Sequence, residues 1–158
     1  MGFVKLNVDA SFDHDLFKGT AGAVLIDDKE IFIPGGNWKI DWCVDALTAE
    51  ALALRFGLSL AHKAGCNRLV INSDNMKVID TMKNGGRSAG AAAVMFDDCY
   101  FLACDFPLTS FEHCNREANK VAYELARLAK FSETREWFEE PLVEIVQPLI
   151  DDVTVISN

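Results

Sequence analysis

The sequence contains no long apolar run. No stretch of its 158 residues approaches the roughly 18 consecutive apolar residues that a membrane-spanning helix needs. The N-terminal segment MGFVKLNVDAS alternates apolar and polar positions, and it lacks the apolar block of a signal peptide. No other targeting motif is visible. We therefore expect an intracellular protein with no membrane partner, and the sequence leaves the choice between cytoplasm and nucleus open.

The sequence also lacks paired cysteines. Its five cysteines are odd in number and form no Cys-x-x-Cys motif. Cys99 and Cys104 are spaced like half of a metal site, but no Cys or His pair follows them at the spacing of a zinc centre. Because reduced cysteine packs as a small apolar side chain, we expect buried free thiols.

Basic residues are scarce. The chain has 15 Lys and Arg against 24 Asp and Glu, a net charge of −9, which opposes loose binding to nucleic acid because such binding depends on neutralising phosphates. Most of the excess lies after Lys130, where seven acids accompany one base, Arg135. A chain of this length can bury the core of one domain. We predict a domain over residues 1–130 and an acidic extension over residues 131–158 that packs on the domain or trails from it.

Periodicity divides the chain into strands and helices. FVKLNVD, AGAVLID and EIFIPGG are patterned as strands, and the short turns between them indicate an antiparallel meander. A helical period follows from Asp45 to Ala64, with Gly65 placed as its C-terminal cap. The remaining elements are a strand RLVINSD, a helix NMKVIDTMKN, an Ala-rich helix from Gly90 to Asp105, a strand PLTSFEHC and an amphipathic helix from Asn115 to Lys130. This order predicts an α/β fold with a mixed sheet flanked by helices.

Two aspartates stand at strand ends. Asp9 closes the first strand, and Asp74 closes RLVINSD at the edge where open α/β sheets place their sites. Each residue also has a simpler explanation. Asp9 fits a turn, and Asp74 fits the N-terminal cap of the helix that starts near Asn75.

Glu50 is harder to explain as a surface residue. It follows Leu47 by three positions and precedes Leu54 by four, so it borders the apolar stripe of its helix, where a charge loses solvation. Either it turns outward to pair with Arg55 or Lys39, or it points toward the sheet and meets the two aspartates. Three converging carboxylates would raise one another's pKa, and a divalent cation such as Mg²⁺ would remove that repulsion.

Five segments carry a resemblance to a known family. KLNVDASF, AGAVLID, TAEALALRFGLSLAHKAG, RLVINSDNMKVID and FEHCNREANKVAYELARLA occur in that family's order and cover nearly all of residues 3–130. The chain resembles the ribonuclease H-like domains related to reverse-transcriptase ribonuclease H, especially the plant-type group. The resemblance implies a ribonuclease H-like fold, in which a five-stranded mixed sheet, three antiparallel strands followed by parallel strands, is flanked by helices.

The resemblance also implies a site. The family's catalytic, metal-binding acids fall on Asp9, Glu50 and Asp74, and its mobile histidine falls on His113, which makes that residue a further catalytic candidate. In the family, two Mg²⁺ or Mn²⁺ ions held by these acids cut the RNA strand of an RNA/DNA hybrid, which the 2′-hydroxyl distinguishes from DNA. We expect the same cofactor and substrate here. The sequence identifies no protein partner.

Three further residues are expected to contact the nucleic acid. They are Ser11, Asn75 and Asn119, the last of which matches the family's helix asparagine. Tyr123 departs from the family pattern, which commonly has a fourth acid here, or a His in plant-type members. A phenol with a pKa of about 10 is a poor metal ligand at neutral pH.

Three hypotheses follow. The leading one is a metal-dependent endoribonuclease acting on RNA/DNA hybrids. The alternative is a degenerate ribonuclease H fold with weak or no activity, retained as a nucleic-acid or protein interaction module. A receiver-like phospho-acceptor domain would require strict β-α alternation from the start, which the initial meander contradicts.

Overall fold

The computed structural model of the chain describes residues 2–29 and 34–139. Within these residues, six strands form one mixed sheet in the order β5-β4-β1-β2-β3-β6. The strands are β1 (Val4–Asp13), β2 (Lys18–Ile26), β3 (Gly35–Ile40), β4 (Arg68–Ser73), β5 (Leu108–His113) and β6 (Arg135–Trp137). The helices are α1 (Ala46–Lys63), α2 (Met76–Lys83), α3 (Ala93–Ala103) and α4 (Lys120–Leu128). None of these helices is both long and apolar enough to cross a membrane.

The predicted mixed sheet is confirmed. β1, β2 and β3 form an antiparallel meander, β4 runs parallel to β1, and β5 runs parallel to β4. The predicted number of five strands is wrong, because β6 pairs antiparallel with β3 and places Trp137 opposite Gly35. Its three residues are too few to show an alternating pattern in the sequence. β6 lies inside the predicted acidic extension, and the domain boundary at residue 130 stays a prediction.

Two predicted element bounds also change. The third strand, expected over EIFIPGG, is Gly35–Ile40, and residues 30–33 lie outside the described residues. The last helix, expected from Asn115, begins at Lys120. Its start is delayed because the Asn115 side chain accepts a hydrogen bond from the Ala118 amide at 2.8 Å and so closes a turn ahead of the helix.

α1 begins and ends where the sequence predicts. The Asp45 carboxylate accepts hydrogen bonds from the amide of Thr48 at 2.7 Å and from its hydroxyl at 2.6 Å, which satisfies a backbone donor that the first helical turn leaves free. Gly65 follows the last turn with a φ of +75°, a left-handed conformation that glycine adopts without steric cost. These two ends fix the position of the helix and place Glu50 in its second turn.

The main apolar core lies on one face of the sheet. Leu6 and Val8 of β1 are buried in one cluster with Leu54 and Leu58 of α1, and Phe96 of α3 completes that layer. The intervening residues of β1 are polar and face the opposite side, as the alternation of a strand requires.

The cysteines are free, as the sequence predicts. Cys43 and Cys99 are buried in the main core. Cys104 is exposed instead, because it caps the end of α3 at the surface, so the expected burial does not extend to every thiol.

The opposite face of the sheet carries α4 at very short range. A Cβ atom added to Gly22 of β2 would overlap the carbonyl oxygen of Ala122 and lie 2.6 Å from the amide nitrogen of Ala126, both main-chain atoms of α4. Three buried asparagines donate from Nδ2 to main-chain carbonyls across this contact: Asn7 to Ala118, Asn37 to Leu125 and Asn119 to Val8, at 3.3, 3.2 and 2.8 Å. Side-chain amides therefore add hydrogen bonds to the packing of α4, whose buried residues are otherwise apolar.

We expect Gly22→Ala to destabilise the domain by about 1–3 kcal/mol, because the added methyl group can be accommodated only if α4 moves away from β2. The loss is measured as a lower midpoint of denaturant unfolding. Gly2→Ala is the control, since its Cβ would lie 3.4 Å from Asp28, an ordinary contact. Equal midpoints for the two variants would show that α4 does not depend on this close approach.

Candidate active site

Asp9, Glu50 and Asp74 come together at one end of the sheet. β1 and β4 are parallel neighbours whose pairing runs to Asn7 opposite Asn72, so Asp9 and Asp74, each two residues further along, lie side by side. Glu50 reaches the same place from the second turn of α1. All three acids line one cleft of about 460 Å³.

Asp9 and Glu50 form a buried carboxyl pair. Burial and then the charge of Asp74 raise the pKa of Asp9 to about 6, while a hydrogen bond from Glu50 opposes that rise. Burial, followed by the charges of Asp9 and Asp74, raises the pKa of Glu50 to about 9. Without a cation, the two carboxyls together therefore favour holding a proton at neutral pH.

One carboxyl oxygen of Glu50 lacks a hydrogen-bond partner. Its Oε2 atom is buried and no residue in the described part of the chain bonds to it. A buried polar atom without a partner destabilises the folded state, because it has given up its hydrogen bonds to water. Pairing at the surface does not explain the residue. Arg55 instead binds Asp98, with Nη1 3.1 Å from Oδ2, and Lys39 lines a different cleft. Glu50 thus points into the sheet-end site.

Asp74 is not the cap of α2. The cap is Asn75, whose Oδ1 accepts a hydrogen bond from the Val78 amide at 3.1 Å. This removes the simpler explanation of Asp74 and leaves its carboxyl group on the cleft. Asn75 also lines the cleft, but its side-chain oxygen is engaged in the cap, so only its amide nitrogen remains for a ligand.

The segment between β5 and α4 forms the facing wall of the cleft. Nε2 of His113 lies 3.1 Å from the carbonyl oxygen of Asp74. A carbonyl oxygen only accepts, so Nε2 carries the hydrogen and the neutral ring leaves Nδ1 as an acceptor. Arg116 lies near enough to Asp9 to lower the pKa of that carboxyl. The sequence did not single out Arg116, and its one available signal was its place in the REAN segment, three residues after His113.

Two other predicted residues have different surroundings. Ser11 shares a hydrogen bond with the hydroxyl of Thr20, with 2.6 Å between the oxygens, and lines a separate cleft. Asn119 is only 1% exposed, and its amide holds the main chain of Val8. The side chain of Asn119 is thus buried in the packing of α4 against β1, and its contact with nucleic acid stays a prediction. Tyr123 is half exposed and lines the carboxylate cleft, as its position on the helix suggested.

The donor set suits a hard divalent cation. Within residues 2–29 and 34–139, no three His, Cys, Asp or Glu side chains form a ready-made metal centre. The unpartnered Glu50 oxygen and the raised pKa values of Asp9 and Glu50 nonetheless mark a place where added positive charge would be stabilising. Carboxylate oxygens are the ligands that Mg²⁺ prefers, and its binding there would displace the proton of Glu50.

Comparison with known sequences decides the family. The sequence model described as reverse transcriptase-like matches residues 7–129, which is most of the chain. The chain belongs to the reverse transcriptase-like family. No curated protein matches it.

Solved structures similar to this ribonuclease H-like domain include several RNase H proteins. RNase H1 from the archaeon Halobacterium salinarum superposes with a TM-score of 0.75 and 21% identity over 82% of this chain and 98% of that one. The N-terminal RNase H domain of a Mycobacterium tuberculosis protein superposes with a TM-score of 0.71 and 16% identity, with 100% of each chain covered. LC11-RNase H1 in complex with an RNA/DNA hybrid superposes with a TM-score of 0.71 and 18% identity, over 78% of this chain and 94% of that one. These similarities show a ribonuclease H-like fold.

The carboxyl pair predicts an unusual pH dependence of stability without metal. A carboxyl whose pKa is higher in the folded state binds more protons when folded. Its contribution to the free energy of unfolding is therefore full below the unfolded pKa and is lost as pH rises through the folded pKa. For Glu50 this stability is lost between its ordinary pKa of 4.5 and its folded pKa of about 9. Glu50→Gln removes the ionisable group, so the melting temperature of the variant minus that of wild type should increase as pH rises through this range.

The exposed Glu133 provides the control, because Glu133→Gln removes an equal charge far from burial. Its melting temperature relative to wild type should not change in the same way. If the two variants have the same pH dependence, Glu50 is not the buried, proton-holding member of a pair. Mg²⁺ should raise the melting temperature of wild type more than that of Glu50→Gln, because the variant has lost a ligand.

Proposed function

We propose that this domain is a divalent-metal-dependent endonuclease that hydrolyses the RNA strand of RNA/DNA hybrids. The observation that carries the proposal is the buried pair of Asp9 and Glu50, with Asp74 beside it, on a ribonuclease H-like fold. A structure of the same fold contains such a hybrid, which supports this class of substrate. The 2′-hydroxyl is the group by which a protein can distinguish the RNA strand.

Five residues of the cleft have a role in this proposal. Asp9, Glu50 and Asp74 would hold Mg²⁺ or Mn²⁺, which supplies an activated water and neutralises charge that develops on the phosphate. Arg116 would attract the phosphate toward Asp9. His113 lines the cleft and bonds to the Asp74 carbonyl through Nε2, so Nδ1 is the ring atom that would exchange protons with water in the cleft.

Tyr123 favours a second candidate, in which the fold binds nucleic acid or a protein without cutting. Its phenol lines the cleft where the family commonly has a fourth acid, so a phenol stands in place of a carboxylate ligand. The site therefore has one anionic ligand fewer and would hold its cation more weakly. Mn²⁺ tolerates such a site better than Mg²⁺, which demands a near-ideal octahedron.

Cleavage of a labelled RNA/DNA hybrid tests the two candidates. We expect low wild-type activity that is higher with Mn²⁺ than with Mg²⁺. Tyr123→Asp should raise the rate about tenfold or more, equivalent to about 1.4 kcal/mol of barrier, because it restores an anionic ligand. Asp9→Asn should abolish cleavage in either background.

Tyr100→Asp is the matched control, because Tyr100 is the other tyrosine of the chain and is 47% exposed, against 50% for Tyr123. It lies on α3, away from the carboxylates, so its substitution should leave the rate unchanged. If wild type and Tyr123→Asp are both inert with either metal, the enzyme proposal fails and the binding module takes its place.

A further inference from the structure

A second cleft lies beside the carboxylate site. It occupies about 410 Å³ where the end of β1, the start of β2 and the end of β3 meet the residues that follow α4. Its floor holds the hydrogen-bonded hydroxyls of Ser11 and Thr20. Three lysines from distant parts of the sequence line it: Lys18, Lys39 and Lys130.

The three lysines are exposed and available to a ligand. None of them takes part in an ion pair with another described residue. Two aspartates, Asp13 and Asp41, also line the cleft, and Oδ1 of Asp13 accepts hydrogen bonds from the amides of Asp15 and Leu16 in its own hairpin. With three lysines against two aspartates, the lining has a small positive excess on a chain whose net charge is −9.

Two exposed aromatic residues are chain neighbours of residues that line this cleft, since Phe17 lies between Leu16 and Lys18 and Trp42 follows Asp41. Trp42 is 69% exposed and Phe17 is 45% exposed, although burial is the usual state of such rings. Phe17 belongs to the turn between β1 and β2, and Trp42 to the loop after β3. The two segments are joined by a hydrogen bond from the Cys43 amide to the carbonyl oxygen of Phe17 at 2.9 Å.

Phe17 is held in an unusual backbone conformation. Its φ of +54° is the only positive value at a non-glycine residue in the described chain. A bulky side chain in the left-handed region is strained, and such strain persists where the surrounding structure or a function requires it. Here the strained residue presents an aromatic ring to solvent beside Lys18.

The second cleft neighbours the carboxylate site, although the two share no lining residue. Ser11 follows Asp9 by two residues on the same face of β1, a separation of about 7 Å. The exposed side of α4 also spans the distance, since Tyr123 lines the first cleft, Lys130 lines the second, and Arg127 lies between them on the same helical face. A strand bound at the acids would reach the lysine cleft by extending along β1 or α4.

We propose that the second cleft binds an unpaired nucleic-acid strand that continues from the carboxylate site. Its phosphates would lie on Lys18, Lys39 and Lys130, and its bases would stack on Phe17 and Trp42. Lysines that track a backbone, with exposed rings that accept any base, are the combination by which proteins hold single strands. Paired bases offer no free face to the rings, which is why an unpaired strand fits better than a duplex.

This proposal takes only its class of ligand from the proposed function, and its test does not involve cleavage. Binding is measured by fluorescence anisotropy of labelled single-stranded RNA and DNA of about a dozen nucleotides, in EDTA and at low salt. Trp42→Ala should weaken binding about tenfold, because it removes a stacking surface. Phe101→Ala is its control, since Phe101 is 78% exposed on α3 and should have no effect.

The lysines are tested through salt dependence. Lys39→Gln/Lys130→Gln should reduce the slope of log affinity against log salt by about 1.4, which corresponds to two phosphate contacts on a single strand. The double variant Lys5→Gln/Lys83→Gln removes the same charge from exposed positions elsewhere and should leave the slope close to that of wild type.

Phe17→Asn separates binding from folding. Asn adopts the left-handed region more readily than Phe, so the variant should be at least as stable as wild type while binding the strand more weakly. Unchanged affinity in Trp42→Ala and in the Lys39/Lys130 variant would overturn the proposal. Binding that depends on Trp42 but not on salt or the lysines would also overturn it, because the phosphates would then not lie on the lysines. Failure of hybrid cleavage, by contrast, would leave these binding results unaffected.

Discussion

The direct contact between the backbone of α4 and the strand β2 is the constraint on which the site depends. Gly22 has no side chain to hold them apart, and buried asparagines add hydrogen bonds to main-chain carbonyls across the contact. The contact fixes both ends of the helix. Its start carries Tyr123 into the carboxylate cleft and its end brings Lys130 to the lysine cleft. The two clefts therefore share one rigid support.

The carboxyl groups that suit the site to a cation make the folded domain less stable when no cation is bound. Burial of Asp9 and Glu50 favours a shared proton, and the raised pKa values express the free energy that their ionisation would cost. A cation changes the balance, because it compensates the charge that the protein interior does not. The charge of Arg116 also lowers the pKa of Asp9, but the buried oxygen of Glu50 still has no partner among the described residues. The unfavourable electrostatics of the metal-free state thus favour binding of a cation.

The sequence predicts the fold and the three acids well, because strand ends and a helix stripe are local patterns. Glu50 borders an apolar stripe, and Asp74 ends a parallel strand next to the strand of Asp9. Other features depend on contacts between distant segments. Lys18, Lys39 and Lys130 show no spacing that would bring them together, and the sequence therefore suggested no basic surface. Asn119 matched a family position, yet only the packing of α4 shows that its side chain is buried. β6 is too short to produce a pattern at all.

The hydrogen bonds that hold α4 to β1 have a consequence for how the domain is made. Asn7 and Ala118 are 111 positions apart, and so are Val8 and Asn119. The strand that carries Asp9 is the first of the described elements to be synthesised, but the helix that locks it is among the last of them. Contacts of such long sequence separation slow folding, because the entropy cost of closing the loop comes before the contacts can stabilise the chain. The carboxylate cleft is therefore among the last parts of a nascent chain to be completed.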